Sequence, residues 1–234
     1  LGRPVYVVEL PFVSQRCVHD PPTEAEWIDA VEQMLARDGH ATATFVGHSL
    51  GSAYMGYLVR NRPKLFAGAV FIDPVCFLMH HSEITREMVF RQPTTAAEYV
   101  EDFLVRSELF TLVYLQRHMW WYRANLWLED LPQGVPVSVV VSEEDSIVPA
   151  KALAAYLASP KGRRKVTSVV LRGQPHGGFL LDAPSRARIV ARVAASPADP
   201  AAAPALGVFD LADAALAPIL DLRLRIAEEG ARLS

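Results

Sequence analysis

Residues 41–60 read ATATFVGHSLGSAYMGYLVR, and this stretch decides how the rest of the chain can be arranged. A β-branched and aromatic run ends at Val46, as a buried strand would, and residues 51–60 have a helical composition. Between the two runs lies the pattern G-x-S-x-G, with Ser49 at its centre. The sequence therefore predicts a strand, a sharp turn that displays a serine, and a helix.

Gly47 and Gly51 flank this serine for a physical reason. A serine displayed on so tight a turn has unfavourable φ and ψ, and a Cβ on either glycine would collide with the chain that follows. The helix N-terminus then directs free backbone N–H groups toward Ser49. G-x-S-x-G alone is common by chance. The strand before it and the helix after it are therefore the main evidence that Ser49 is displayed as a nucleophile.

The segments around this turn alternate between strand and helix. Val5–Leu10 is a nearly continuous apolar run, typical of a strand buried on both faces of a parallel sheet. Thr23 and Glu26 have the spacing of a capping box that begins a helix, and Phe66–Ile72 has the composition of a further strand. Such alternation indicates a parallel sheet with right-handed crossovers.

The stretch around Ser49 resembles the nucleophile elbow of the α/β-hydrolase superfamily, in the GHSLG form found in many lipases and esterases. The resemblance extends from about Val5 to about Ala195. It implies an α/β fold: a mostly parallel sheet flanked by helices, with a helical cap inserted after one strand. It also implies that the strands which normally precede Val5 are missing, so the sequence predicts a fragment.

Composition and resemblance together divide the chain into four parts. Residues 1–76 form the N-terminal part of the hydrolase core. Residues 77–131 look helical and are rich in large apolar side chains, as expected of a cap or lid that lines an apolar pocket. Residues 132–195 form the C-terminal part of the core. Residues 196–234 begin as an Ala/Pro-rich linker and continue with the periodicity of a helix.

The candidate site residues occur in the order serine, acid, histidine. Asp145 follows the apolar run Val135–Val141 in a loop that resembles the acid loop of the superfamily. Glu143 and Glu144 are near alternatives if the register differs. His176 lies in a Gly-rich loop directly after the last predicted strand, where the resemblance places the base.

Asp73 is a rival for the acid, because the superfamily keeps its carboxylate after either of two strands. The alternative for Asp73 is an ordinary turn aspartate before a proline. His48 stands next to Ser49, but the turn should direct its side chain away from the serine Oγ. We therefore expect His48 to pack or to donate hydrogen bonds rather than to act as the base.

The resemblance implies a serine esterase. His176 would take the proton of Ser49 during attack and return it to the leaving alcohol, while Asp145 would hold the imidazole tautomer and stabilise the imidazolium. The backbone N–H of Leu50 would donate to the oxyanion. The expected substrate is a small carboxylic ester or acyl compound with an apolar acyl group, and the site is expected to need no metal and no cofactor.

Two other readings stay open. Thioesterases and acyltransferases use the same three residues, so the acyl acceptor can be water or an alcohol. A catalytically incomplete binding or scaffold protein is the alternative from another class, because the loop that supplies the second oxyanion donor is expected to be missing with the early strands. Their loss also predicts an exposed sheet edge and low stability.

Composition narrows the range of partners. The chain has 234 residues, of which 51% are hydrophobic and 21% charged, as in ordinary globular proteins. A net charge of −3 favours neither nucleic acid nor an anionic membrane as partner, and no apolar run reaches the roughly 18 residues of a membrane span. Two free thiols, Cys17 and Cys76, are favoured over a single bridge, and the compartment stays open.

Overall fold

A computed structural model of the protein describes residues 4–14, 16, 20–196 and 205–209. Its six strands are β1 Val5–Val7, β2 Ala43–His48, β3 Phe66–Ile72, β4 Val137–Ser142, β5 Thr167–Leu171 and β6 Ala205–Phe209. They form one sheet in the order β1-β6-β2-β3-β4-β5. Every neighbouring pair is parallel, as the alternation of strands and helices predicted.

Helices connect the strands, and the described residues contain α1 Glu24–Arg37, α2 Leu50–Asn61, α3 Ser82–Thr85, α4 Ala96–Glu101, α5 Leu109–Val113, α6 Trp121–Ala124, α7 Ala150–Leu157, α8 Pro160–Lys165 and α9 Ala183–Ala194. The four helices α3–α6 are short, and wider helical turns follow the first three of them. The segment 77–131 contains only helical turns and loops, as its composition predicted.

The capping box at the start of α1 is present as predicted. The Thr23 Oγ accepts the backbone N–H of Glu26 at 3.3 Å, and the Glu26 carboxylate accepts the backbone N–H of Thr23 at 2.8 Å. The same face of the helix then buries four apolar side chains, Trp27, Ile28, Val31 and Leu35. Helix α1 therefore packs its apolar face inward where it connects β1 to β2.

The prediction that Val5–Leu10 is a strand buried on both faces is wrong. The strand is only Val5–Val7, and the exposed fractions of Val5 and Val7 are 51% and 69%. Among the described strands its partner is β6 alone, so β1 is an edge strand of the described sheet. An apolar run alone does not distinguish a central strand from an edge strand.

The predicted exposed sheet edge lies at β1, whereas the elbow strand β2 has a neighbour on each side among the described strands. Strand β6 lies between β1 and β2, and its register with β2 pairs Ala43 with Ala205 and Gly47 with Phe209. The helical periodicity predicted from Val208 therefore begins inside a strand. A five-residue apolar segment gives little periodic signal, and its partners in the sheet are distant in sequence. The predicted C-terminal helix otherwise lies outside the described residues, as does Cys17.

The chain forms two compact units. The first comprises Leu1–Val8, Pro22–Arg91 and Met119–Asp210, and it contains the whole sheet. The described part of the second lies within Glu9–Pro21 and Gln92–His118. Within that second unit the ring of Phe12 packs on the ring of Tyr114 at 4.5 Å. Every candidate site residue belongs to the first unit.

The core of the first unit lies on both faces of the central strands. All six residues of β2 are buried, as are six of the seven residues of β3. One cluster joins the strands to α9 through Val46, Val70, Ile72, Val140, Leu171, Phe179, Ile189 and Val193. Among the described residues, no helix has the length and apolar character needed to cross a membrane.

Candidate active site

Ser49 stands on the turn between β2 and α2 with φ +50° and ψ −119°. A positive φ is strained for a residue with a Cβ, and the turn pattern predicted this strain. The backbone N–H of Ser49 donates to the carbonyl of Ile72 at 3.0 Å. The hydroxyl of Ser52 donates to the carbonyl of Ser49 at 2.5 Å. These two bonds hold the turn against β3 and against the first turn of α2.

The close approach of β2 to α2 explains Gly47. A Cβ at Gly47 would lie 2.5 Å from the Sδ of Met55 and 2.8 Å from the carbonyl oxygen of Gly51. A Cβ atom essentially never lies this close to a non-bonded heavy atom. Only glycine therefore fits at this position without a shift of the surrounding atoms. Gly47 therefore lets the strand and the helix meet at the angle that displays Ser49.

Three of the predicted site residues lie in hydrogen-bond contact. The Nε2 of His176 is 2.9 Å from the Oγ of Ser49, and the Nδ1 of His176 is 2.7 Å from the Oδ2 of Asp145. The side chain of Asp145 has no exposed surface, and that of His176 is 13% exposed. With its proton on Nδ1, the imidazole donates to the carboxylate and accepts from the serine hydroxyl.

The second oxygen of Asp145 is held by the backbone. Its Oδ1 accepts the N–H groups of Ile147 and Val148, each at 2.8 Å. The neighbouring acid Glu143 has other partners. Its carboxyl accepts hydrogen bonds from the backbone N–H of Gly173 and from the guanidinium of Arg172, and these bonds, the Gly173 bond most of all, lower its pKa. Glu144 is exposed. The structure therefore brings Asp145, rather than either glutamate, to His176.

Asp73 lies close to the same site with different partners. It is fully buried, and its φ is +42°. Its Oδ1 accepts the backbone N–H of Ser142 at 2.7 Å, and its Oδ2 accepts the hydroxyl of Ser142 and the backbone N–H of Gly177, each at 3.0 Å. The sequence analysis missed Ser142 and Gly177. The signal for Ser142 was a serine directly after the three valines that end the apolar part of β4.

His48 packs within the site. Its ring centroid is 5.1 Å from that of His176 and also 5.1 Å from that of Phe179. The Nε2 of His48 lies 3.8 Å from the Oδ2 of Asp73, which is beyond hydrogen-bond distance. The ring contacts agree with the expectation that His48 packs or donates hydrogen bonds rather than acting as the base.

Among the described residues, one group has the side-chain types of a metal site. Single atoms of His48, Asp73 and His176 lie within 4.8 Å of one another. Both oxygens of Asp73 already accept hydrogen bonds, and both ring nitrogens of His176 lie within hydrogen-bond distance of Ser49 or Asp145. These hydrogen bonds occupy Asp73 and His176, and the expectation of a metal-free site stays a prediction.

Two residues of α2 complete the surroundings of Ser49. Leu50 is the first residue of the helix, so its backbone N–H lies outside the helix's own hydrogen-bond ladder. The Oγ of Ser52 accepts the N–H groups of Val75 and Cys76 at 3.0 and 3.4 Å, which links the elbow to the turn after β3. Cys76 is a free, buried thiol, and burial raises its pKa.

Comparisons with known proteins agree with this fold. The family model of the alpha/beta hydrolase family matches residues 1–193. The chain therefore belongs to the alpha/beta hydrolase family. A comparison with curated protein sequences found no match.

Solved structures with the same fold include hydrolases and esterases. They include 2-hydroxy-6-oxo-6-phenylhexa-2,4-dienoate hydrolase from Rhodococcus sp. strain RHA1, with 17% identity over 75% of this chain and 73% of that chain and a TM-score of 0.52. A serine hydrolase from Cycloclasticus zankles has 14% identity over 74% of each chain and a TM-score of 0.50. A carboxylesterase from Nitrososphaera gargenis has 14% identity over 73% and 71% and a TM-score of 0.49. At these identities the likeness to the Rhodococcus and Cycloclasticus hydrolases shows the fold alone.

Proposed function

We propose that this protein is a serine hydrolase that cleaves carboxylic esters through an acyl-enzyme. The observation that carries the proposal is the continuous series of hydrogen bonds from Ser49 through His176 to Asp145, at 2.9 and 2.7 Å. A strained serine whose hydroxyl meets an imidazole, itself held by a buried carboxylate, has the geometry of an activated nucleophile. Membership of the alpha/beta hydrolase family supports the same reaction class.

Acylation begins when the Oγ of Ser49 attacks the ester carbonyl carbon and its proton moves to the Nε2 of His176. The carbonyl electron pair moves onto oxygen, and the backbone N–H of Leu50 donates to this oxyanion. When the carbonyl re-forms, the bond to the alcohol oxygen breaks. His176 returns the proton to that oxygen, and the acyl group stays on Ser49.

Deacylation repeats these steps with water as the nucleophile. His176 takes a proton from water as the water oxygen attacks the acyl carbon, and it then gives the proton back to the Ser49 oxygen as the acid leaves. Asp145 stays ionised throughout, keeps the proton of the imidazole on Nδ1, and stabilises the imidazolium that forms in each half-reaction.

The apolar acyl group is proposed from the segment 77–131. This segment carries large apolar side chains that remain exposed within the first unit: Phe90, Trp120, Trp121, Tyr122 and Trp127. The test is a series of p-nitrophenyl esters of increasing acyl length. We expect kcat/KM to rise from acetate to octanoate. A flat or falling series would remove the apolar preference and leave the esterase proposal intact.

The first experiment for the esterase itself is covalent labelling with a fluorophosphonate, read by peptide mass spectrometry. Label is expected on Ser49 and is expected to be lost in Ser49→Ala and His176→Ala. Matched controls are Ser168→Ala and His118→Ala, because both residues are exposed and neither is one of the proposed site residues. These controls should label normally.

Other outcomes point to the alternatives. A folded protein, checked by circular dichroism, that takes no label would favour the binding or scaffold reading. A labelled protein that forms more ester than acid when an alcohol is added would favour an acyltransferase. Faster turnover of an acyl thioester than of the matched oxygen ester would favour a thioesterase.

A further inference from the structure

The carboxylate of Asp73 lies where three parts of the proposed site meet. Asp73 follows β3, and its backbone N–H donates to the carbonyl of Val140 in β4 at 2.9 Å. Its two oxygens accept three hydrogen bonds, two from Ser142 and one from Gly177. The carboxylate is fully buried, so these bonds replace all of its contact with water.

Each residue that donates a hydrogen bond to the Asp73 carboxylate lies within three positions of a residue of the proposed triad. Gly177 directly follows His176. Ser142 is the last residue of β4 and begins the loop that carries Asp145. Ile72 directly precedes Asp73, and its carbonyl accepts the backbone N–H of Ser49 at 3.0 Å. One buried side chain therefore connects the elbow, the acid loop and the base loop.

The conformation of Asp73 indicates a specific role rather than an ordinary turn. Its φ of +42° is strained for an aspartate. A solvated turn before a proline would need neither burial nor three donors. A carboxylate accepts hydrogen bonds at both oxygens and donates none, which matches the two N–H groups and one hydroxyl that surround it.

We propose that Asp73 is a positioning residue of this hydrolase, whose buried carboxylate fixes the base loop and the acid loop relative to the elbow. This inference rests on the proposed function. Asp73 acts through Ser142 and Gly177 and contacts no reacting atom. Its negative charge also favours the imidazolium of His176, because single atoms of Asp73, His48 and His176 lie within 4.8 Å of one another. The imidazole of His176 also faces the carboxylate of Asp145 and the ring of His48.

The test variant is Asp73→Asn in the full chain. An amide has one oxygen, so its NH₂ group must face one of the donors, and a backbone N–H loses its acceptor. The expected kcat per active site falls about 10²-fold, as misplacement of a catalytic group does, while KM stays within about threefold. The acid limb of the kcat/KM–pH profile moves to lower pH, because loss of the negative charge disfavours the imidazolium.

Active sites are counted by fluorophosphonate titration, so that kcat refers only to competent molecules. The matched control is Asp29→Asn, because Asp29 is an exposed aspartate paired with Arg62. This control should keep the wild-type kcat, KM and pH profile. A residue with a purely structural role would reduce the number of titrated sites and leave kcat per site and the pH profile unchanged. That result for Asp73→Asn would overturn the proposal.

Ser142→Ala tests the same proposal if Asp73→Asn does not fold. It removes only the hydroxyl donor and keeps both backbone N–H bonds to Asp73. The expected result is a loss of about tenfold in kcat per site, and an unchanged kcat would overturn the proposal. Wild-type protein that takes no label on Ser49 overturns the proposed function and this inference together. Normal wild-type activity with unaffected variants overturns this inference alone.

Discussion

Two carboxylates follow neighbouring strands and differ in what they contact. Asp145, after β4, contacts the imidazole of His176 directly at 2.7 Å. Asp73, after β3, bonds to Ser142 and to the backbone of Gly177. Both positions are at the carboxyl edge of the sheet, so sequence position alone left them as rivals. The hydrogen-bond partners give them different proposed roles, orientation of the base for Asp145 and spacing of the loops for Asp73.

Asp145→Asn should reduce kcat by about 10⁴-fold with little change in KM. An amide NH₂ next to Nδ1 favours the tautomer with its proton on Nε2, and this tautomer cannot accept the proton of Ser49. Steady-state kinetics on a p-nitrophenyl ester provide the measurement. A loss smaller than tenfold would show that another group orients the base.

Cys76 should resist alkylation in the folded protein. Burial raises the pKa of its thiol, so the reactive thiolate is scarce and shielded from reagent. Iodoacetamide at about pH 8, with the Cys76 peptide read by mass spectrometry, should modify it only after urea is added. Because the unfolded thiol ionises first, stability should fall as the pH rises past about 8.5. Rapid modification of the native protein would contradict the buried placement.

At the scale of elements, the site depends on how β2 meets α2. Gly47 brings the end of the strand against the carbonyl of Gly51. Ser52 then ties the first turn of the helix to the Ser49 carbonyl and to the N–H groups of Val75 and Cys76. The elbow is thus held both by close packing and by hydrogen bonds to the turn after β3.

Gly47→Ala should slow fluorophosphonate labelling of Ser49 by at least about tenfold. The added Cβ would meet the Met55 side chain and the Gly51 carbonyl at 2.5 and 2.8 Å, so the turn must shift. Labelling rates on the folded fraction provide the measurement. The double variant Gly47→Ala/Met55→Ala relieves only the side-chain contact. Full recovery of labelling in the double variant would mean that the backbone contact does not limit the turn.

At the scale of the whole molecule, the sheet is completed by a strand from the far end of the described chain. Strand β6 pairs with β1 on one side and with β2 on the other. Strand β1 pairs with no other strand in the part of the chain that the structure describes. Residues 205–209 therefore pair with the edge of the elbow strand and connect β1 to the other described strands.

A chain that ends at Ser196 should lose Ser49 labelling and should aggregate. Its β2 would present unpaired N–H and C=O groups beside the elbow, and β1 would lose its partner. Gly207→Pro should act in the same direction, because a proline inside a central strand removes a ladder hydrogen bond. Labelling and size-exclusion chromatography provide the measurements.

The control for Gly207→Pro is Ala202→Pro, in the segment where prolines already occur at positions 200 and 204. This variant should behave like the wild type. Normal labelling and a monomeric profile for the chain that ends at Ser196 would show that β6 is dispensable.

The elbow and the alternation of elements could be predicted because they follow from local patterns, and the resemblance of the elbow stretch to the α/β-hydrolase superfamily predicted Asp145 and His176 as partners of Ser49. A G-x-S-x-G between a strand and a helix specifies a turn. Parallel strands bring the loops at their carboxyl ends together at one edge, wherever those loops occur in the sequence. The family and its fold were predicted on this basis.

The features that the sequence did not predict depend on contacts between distant segments. Strand β6 is recognisable only by its pairing with β1 and β2, and the exposure of Val5 follows from the same pairing. The acceptor role of Asp73 requires Ser142 and Gly177 to converge on it. No local pattern records such a convergence.

The place of β6 in the sheet also sets an order for biosynthesis. The ribosome synthesises residues 43–48 early and residues 205–209 last among the described strands. The elbow strand therefore has no β6 to pair with until most of the chain has been synthesised. Contacts so distant in sequence close slowly. During that interval the edge of β2 beside the serine turn has unpaired backbone N–H and C=O groups. Unpaired strand edges of this kind are prone to aggregate, so we expect molecular chaperones to bind the nascent protein there.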